Sequence, residues 1–231
     1  MNGQVRTNGI VLSRVDYGEA DRIITFLTDD AGKLTVIAKG VRRSKSKLAG
    51  AVELFSVSEL MYVQGRGTMG TLVSARLTRH YGNIVKNVDR TMAGYDLLKL
   101  LYKSIEDASE DTYYTLLDHA LTALDSADIS LAIIRTWFSA QLLRIAGHTP
   151  NLTNAVDGAR LLPDARYDFD FEAVAFKPNV EGAFGANEIK FLRLMFAEST
   201  PKLLANVEGS GTYADALEPF VTTLRHDYLR V

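Results

Sequence analysis

Lys33-Leu34-Thr35-Val36-Ile37-Ala38-Lys39 alternates with a period of two residues. On a β-strand that spacing sets Leu34, Val36 and Ala38 on one face and Lys33, Thr35, Ile37 and Lys39 on the other, so the segment predicts a half-buried strand. On either side, β-branched and apolar runs recur at 9–15, 22–28, 55–63 and 71–77, which makes five predicted strands. The segments 16–21, 29–32 and 64–70 read as turns, whereas 40–54 is long and basic. Five short strands with one long connection between the third and the fourth predict a small closed or nearly closed barrel of the OB-fold type.

From residue 81 onward the period changes. Val88, Met92, Tyr95, Leu98, Leu101 and Ile105 step by three and four. So do Tyr113, Leu116, Leu117, Ala120, Leu121 and Leu124, and then Leu131, Ile134, Phe138, Leu142 and Ile145. The spacing predicts three amphipathic helices whose short polar links favour an antiparallel bundle. Gly147-His148-Thr149-Pro150 should end the third helix. Residues 151–186 are irregular, with Tyr167-Asp168-Phe169-Asp170-Phe171 able to pair with 173–176 as a β-ribbon. Asn187 is a candidate N-cap for a further helix, Thr200-Pro201 a cap followed by Pro at the first helical position, and Pro219 predicts a helix start or a kink in the last segment. The expected fold class is therefore α+β in two parts. Residues 1–80 form a barrel, and 81–231 form a helical bundle domain carrying a small β-ribbon at 151–186.

Composition narrows the chemistry. The chain has 231 residues, 47% of them hydrophobic and 23% charged, the profile of a folded protein. With no Cys there is no thiolate nucleophile, no disulfide and no cysteine-held metal. No apolar run approaches the roughly 18 residues a membrane span needs, and the first residues lack an apolar signal core, so the expected location is the cytoplasm. The net charge of −2 is unevenly spread. Residues 1–80 hold 12 Lys and Arg against 7 Asp and Glu, while 81–231 hold 14 against 21. Such asymmetry points to an anionic partner for the first part.

No acid falls between Asp30 and Glu53, and Lys33, Lys39, Arg42, Arg43, Lys45 and Lys47 all lie in that gap. A mobile basic loop between two strands of a small barrel is placed to follow a phosphate backbone, and Tyr17, Phe26, Tyr62 and Tyr81 are candidate stacking groups or core. Gly65-Arg66-Gly67-Thr68-Met69-Gly70 matches a dinucleotide-binding string, but a strand follows where a helix is required. It reads instead as a hairpin turn with Arg66 at its tip, within reach of a phosphate. Asp168, Asp170 and Glu172 lack the Gly and Glu of a calcium loop, so they read as the solvated face of a ribbon whose Tyr167, Phe169 and Phe171 pack inward. The four His have no ligand spacing, and no nucleophile elbow or P-loop is present. The sequence predicts a binding protein, not an enzyme.

Asp16-Tyr17-Gly18-Glu19-Ala20-Asp21-Arg22-Ile23, Gly32-Lys33-Leu34, Ala38-Lys39-Gly40 and Arg42-Arg43-Ser44-Lys45-Ser46 closely resemble the opening of the RecO family of recombinational DNA repair proteins. The likeness continues through Leu54-Phe55-Ser56, Arg66-Gly67, Leu142-Leu143 and Gly147-His148-Thr149-Pro150-Asn151-Leu152. It implies an N-terminal OB-fold and a helical C-terminal domain. It also implies binding of single- and double-stranded DNA, annealing of complementary strands, and partnership with RecR. Through these the family helps load RecA onto DNA coated by single-stranded-DNA-binding protein, at the nucleoid. The DNA-contacting residues would be Lys33, Lys39, Arg42, Arg43, Lys45, Lys47 and Arg66. Many RecO-like proteins carry a four-cysteine zinc site that this chain lacks, so no cofactor is expected and aromatic side chains should hold the ribbon. Arg135 beside Trp137 and Phe138 would offer a charge and an apolar wall to the acidic, apolar tail of single-stranded-DNA-binding protein. Two other readings remain: an OB-fold RNA-binding module, and an adaptor that binds only proteins.

Overall fold

The structure, a computed structural model, describes residues 3–65, 67–105 and 111–229. The chain divides into two compact units, Met1–Ser126 and Ala127–Val231. The first begins with five strands: β1 (Gln4–Tyr17), β2 (Asp21–Thr28), β3 (Gly32–Ala38), β4 (Ser56–Val63) and β5 (Gly70–His80). They close in the order β1-β2-β3-β5-β4, with β4 returning to β1. Neighbours are antiparallel except at the seam, where β3 runs parallel to β5 through Val36 opposite Gly70 and Ile37 opposite Thr71. This is the OB-fold barrel the periodicity predicts. The alternation of β3 is realised as read, since Leu34, Val36 and Ala38 enter the barrel core with Val11, Ile24, Phe26 and Leu60.

Seam closure requires a residue without a side chain. A Cβ on Gly70 would stand 3.1 Å from the Tyr62 ring, 3.2 Å from the Val63 carbonyl oxygen and 3.3 Å from Val36. Glycine there lets the strand come close enough to pair.

Helices α1 (Val88–Ser104) and α2 (Asp111–Asp125) belong to the same unit as the barrel, and both touch its strands. The change of sequence period at residue 80 therefore marks where strand gives way to helix, while the contacts divide at 126. Tyr81 locks α2 in place. Its hydroxyl donates to Asp118 at 2.5 Å, and Arg79 donates to the same carboxylate at 3.0 Å. Burial, with the Asp118 hydrogen bond second, pushes the Tyr81 phenol up to about 12.

The buried face of α1 is the predicted one at Leu98, Leu101 and Ile105 but differs from it in the first half of the helix. Ala93, Gly94, Leu97, Leu98 and Leu101 are buried, whereas Val88, Met92 and Tyr95 are 78%, 54% and 44% exposed. Counting large apolar residues missed the two small ones that allow close approach. A Cβ on Gly94 would lie 2.6 Å from the ring of Phe55, a fully buried residue held at φ +60° just before β4.

The second unit is organised on α3 (Leu131–Ile145), which is buried nearly all round and packs on α4 (Ala186–Phe196), α5 (Pro201–Ala205) and α6 (Ser210–Tyr228). The Ser130 hydroxyl accepts from the Ile133 amide at the start of α3. At its end Gly147 takes φ +80°, with His148 N donating to the Leu143 carbonyl and Gly147 N to that of Arg144. That pairing is a Schellman stop, as Gly-His-Thr-Pro predicts. Gln141 caps the end of α4 by donating to the Met195 carbonyl at 2.5 Å and to that of Ala197 at 2.8 Å.

The ribbon has three strands. The predicted pair, β7 (Tyr167–Asp170) and β8 (Ala175–Pro178), is joined by β6 (Asn151–Ala155), parallel to β8 and unmarked by alternation. Two helix starts also differ from expectation. The α4 helix is capped at Gly185, whose amide donates to Glu188, one turn in, and not at Asn187. The last helix runs from Ser210 through Pro219, so of the two expectations for the proline the helix start is not realised and the residue lies inside the helix.

Gly94→Ala should destabilise the protein by about 1–3 kcal/mol from overpacking against Phe55, even though Ala is the better helix former by ~1 kcal/mol. Urea denaturation checks this, and equal or greater stability would contradict the close approach.

Candidate nucleic-acid interface

The turn between β1 and β2 and the start of the connector to β4 lie at one end of the barrel, because β2 runs antiparallel to both its neighbours. The connector is fastened there at several points. The Gly40 amide donates to Asp21 Oδ1 at 2.7 Å, and the Arg42 amide to the Ala20 carbonyl at 2.9 Å. Val41 and Val52 are buried in the barrel core, with Leu48 and Leu54 packed against it. A 3-10 turn at Ala49–Val52 is held by the Ser58 hydroxyl, which donates to the Ala51 carbonyl. The expected mobile loop is thus a strap whose apolar side chains enter the core while its cations face outward.

Two acids and three arginines form a network that sequence spacing does not reveal. Arg14 pairs with Glu53, and Arg22 pairs with both Glu53 and Asp16. Arg42 Nε lies 3.3 Å from Asp16, and its guanidinium also donates to the Gly18 carbonyl. Asp21 adds the bond to Gly40 described above. The hydrogen bond from Arg22, followed by charge attraction from Arg42, holds the Asp16 carboxyl below the usual carboxylate range. Its folded pKa is depressed, so these contacts persist through neutral pH and weaken only as pH falls through that lowered value.

Of the sequence-predicted contacts, Lys39, Arg43, Lys45 and Lys47 are exposed. Among the described residues none of these four has a carboxylate within 4.0 Å. Arg42 is partly engaged by Asp16. Lys33 stands apart from them, with Nζ 5.1 Å over the Tyr102 ring and 3.3 Å from the Tyr102 carbonyl oxygen. Arg66 lies outside the described residues. Of the candidate stacking groups only Tyr17 is open, at 55% exposed, whereas Phe26, Tyr62 and Tyr81 are buried.

The proposed docking wall on α3 needs correction. Trp137 and Phe138 are 1% and 0% exposed, and Trp137 Nε1 donates to the Ser199 carbonyl at 3.2 Å. A helix apolar on all sides buries all sides, so these two rings are core and only Arg135 is partly accessible.

The residues of the ribbon do not fit a zinc site. The chain has no Cys, and among the described residues no group of three or more His, Cys, Asp or Glu could hold a metal ion. Aromatic rings pack there instead. Phe169 lies 5.2 Å from Phe176 and 4.8 Å from Phe220, and Phe184 lies 5.3 and 5.0 Å from the same two rings. Phe171, expected inside, is 39% exposed at the edge. Asp168 accepts from the Asn179 side chain and the Ala183 amide, and Asp170 accepts from the Glu172 and Ala173 amides, so both acids pin turns.

Comparison with known proteins is consistent along the chain. A family model described as the Recombination protein O N terminal domain matches residues 1–81, and one described as its C terminal domain matches 86–224. A DNA repair protein RecO from Rubrobacter xylanophilus is 32% identical over 168 residues, covering 69% of this chain and 67% of the relative. Those from Rhodopirellula baltica and Syntrophus aciditrophicus are 33% and 32% identical, over 61% and 71% of this chain. Their alignments span 53% and 64% of the relatives, less than two thirds of either length.

Two outcomes follow from this geometry. Asp16→Asn removes the acid that competes for Arg42, so affinity for a single-stranded oligonucleotide should rise and the slope of log K against log salt should steepen by up to about 0.7, one phosphate's share. Anisotropy titrations at several salt concentrations read both quantities, and a fall in affinity would contradict the competition. A strong chelator should leave the melting temperature unchanged, whereas Phe176→Ala, at a fully buried ring, should cost about 3–5 kcal/mol.

Proposed function

This chain belongs to the RecO family of DNA repair proteins, and we propose that it acts there by binding DNA and annealing complementary strands, with no chemical conversion. Lys39, Arg43, Lys45 and Lys47 supply the grip. They are exposed, and among the described residues they have no carboxylate partner. Phosphate contacts of this kind carry no base information, so single and double strands of any sequence are bound. Annealing requires that repulsion between two phosphate backbones be neutralised while the bases stay free to pair. A row of outward cations on an anchored strap meets that requirement. Tyr17, beside the strap, adds one aromatic face.

The finer activity extends the same reading. With RecR, and through contact with single-stranded-DNA-binding protein, the chain helps load RecA onto coated single strands at the nucleoid. Since Trp137 and Phe138 are core, the tail of single-stranded-DNA-binding protein docks on surfaces other than those two rings. Among the described residues no helix is long and apolar enough to cross a membrane.

The observation that carries this reading is that the four strap cations are exposed and, among the described residues, have no carboxylate within 4.0 Å. Replacing Lys39, Arg43, Lys45 and Lys47 with Ala should lower affinity for single- and double-stranded DNA alike. On single strands the salt slope should become shallower by about 3 if all four contact phosphates, and annealing of complementary oligonucleotides should slow in parallel. Unaltered circular dichroism shows that the fold is kept, and an unaltered salt slope would overturn the proposal. Equal competition by RNA of matched sequence would move the reading toward a general single-strand binder.

A further inference from the structure

The first half of the α1 face that the sequence assigns to the core, Val88, Met92 and Tyr95, is exposed, and beside Tyr95 lies a groove of about 480 Å³ bordered by β1 and α1 within the first unit. Leu12, Leu54 and Leu98 give it an apolar floor, and Tyr95 and Tyr102 stand along it at 44% and 43% exposed. These tyrosines are seven residues apart, two helical turns or about 10 Å on one face. Lys99 lies between them and Lys103 follows, both exposed.

The two rings are held by their neighbours. Tyr95 leans on Phe55 with centroids 5.5 Å apart, and Lys33 sits over Tyr102 while donating to its carbonyl oxygen. An occupant of this groove must therefore offer flat apolar faces together with negative charge. The charge bias is clear from the rim: Lys99, Lys103 and Arg14 line the groove, and Glu53 is the acid paired with Arg14.

The groove is also continuous with the basic strap. Leu54, from the end of the strap, forms part of its floor. Arg14 begins the ion-pair network that passes through Glu53, Arg22 and Asp16 to Arg42. We propose that this groove is a base-stacking subsite for single-stranded DNA, in which unpaired bases lie against Tyr95 and Tyr102 while Lys99 and Lys103 take the adjoining phosphates. The inference rests on the DNA-binding reading above and adds a strand preference to it. Phosphate contacts on the strap do not distinguish single from double strands, whereas a duplex keeps its base faces stacked and has none to give the tyrosines.

The test uses the full chain, an oligothymidine and a duplex of equal length, read by fluorescence anisotropy. Tyr95→Leu with Tyr102→Leu should weaken oligothymidine binding at least about fivefold per stacked base and leave duplex binding within twofold. Tyr95→Phe with Tyr102→Phe keeps the aromatic faces and should bind as the wild type does. The strap variant should lose affinity for both ligands, so failure of the groove and failure of the strap give different patterns. Unchanged oligothymidine binding by the leucine variant, or an equal loss on the duplex, overturns the subsite. An acidic peptide that binds the wild type but not the leucine variant, with oligothymidine binding unchanged, assigns the groove to a protein partner and also overturns it.

Discussion

Closure of the barrel at the β3–β5 seam is the constraint on which the rest of the first unit depends. An open five-stranded sheet would leave two edges of unpaired amides and carbonyls, whereas a closed one leaves none and encloses a core filled by alternate residues. The parallel contact at the seam forces the chain to travel from the end of β3 to the start of β4 without continuing the ladder there. A long connector is the result. Its placement outside the sheet gives the sequence room for a run of cations that no strand interior would tolerate.

Two kinds of side chain in the connector do opposite things. Val41, Leu48, Val52 and Leu54 bind it to the barrel by burial, while Lys39, Arg43, Lys45 and Lys47 remain in water. Exposed ion pairs contribute little to stability, so pairing these cations internally would add little to the fold and would remove charge from the surface. Asp16 and Glu53 instead serve Arg14, Arg22 and Arg42, beneath or beside the strap. The net positive field outward is a product of where those few acids sit.

Strand periodicity was readable most fully in β3, whose buried and part-exposed residues alternate without a break, so it could be assigned residue by residue, whereas β2 is buried on both faces from Ile24 to Thr28 and shows as an apolar, β-branched run. Hairpin chemistry at 64–70 was readable too, since turn residues separate two strands. The first half of the α1 face was not, because Ala93 and Gly94 bury through smallness and a count of large apolar residues passes over them. The docking wall at Trp137 and Phe138 rests on the family resemblance alone; the helical spacing already sets Phe138 on the apolar face, and both rings are core. Neither the ion-pair network nor the third ribbon strand has a local signature; both depend on residues far apart in sequence that only the fold brings together.

The network and the open cations also differ in residue type. Arg14, Arg22 and Arg42 take the fixed positions, where a planar guanidinium can reach two acceptors at once, and three of the four outward charges are lysines. An ammonium is a compact, well-hydrated point charge with no preferred plane of approach. A polymer held by such groups can shift sideways by one repeat without breaking a geometrically matched pair. On the proposed DNA-binding reading, movement along the surface would then be smooth, and a bound strand would search for its complement while it stays attached.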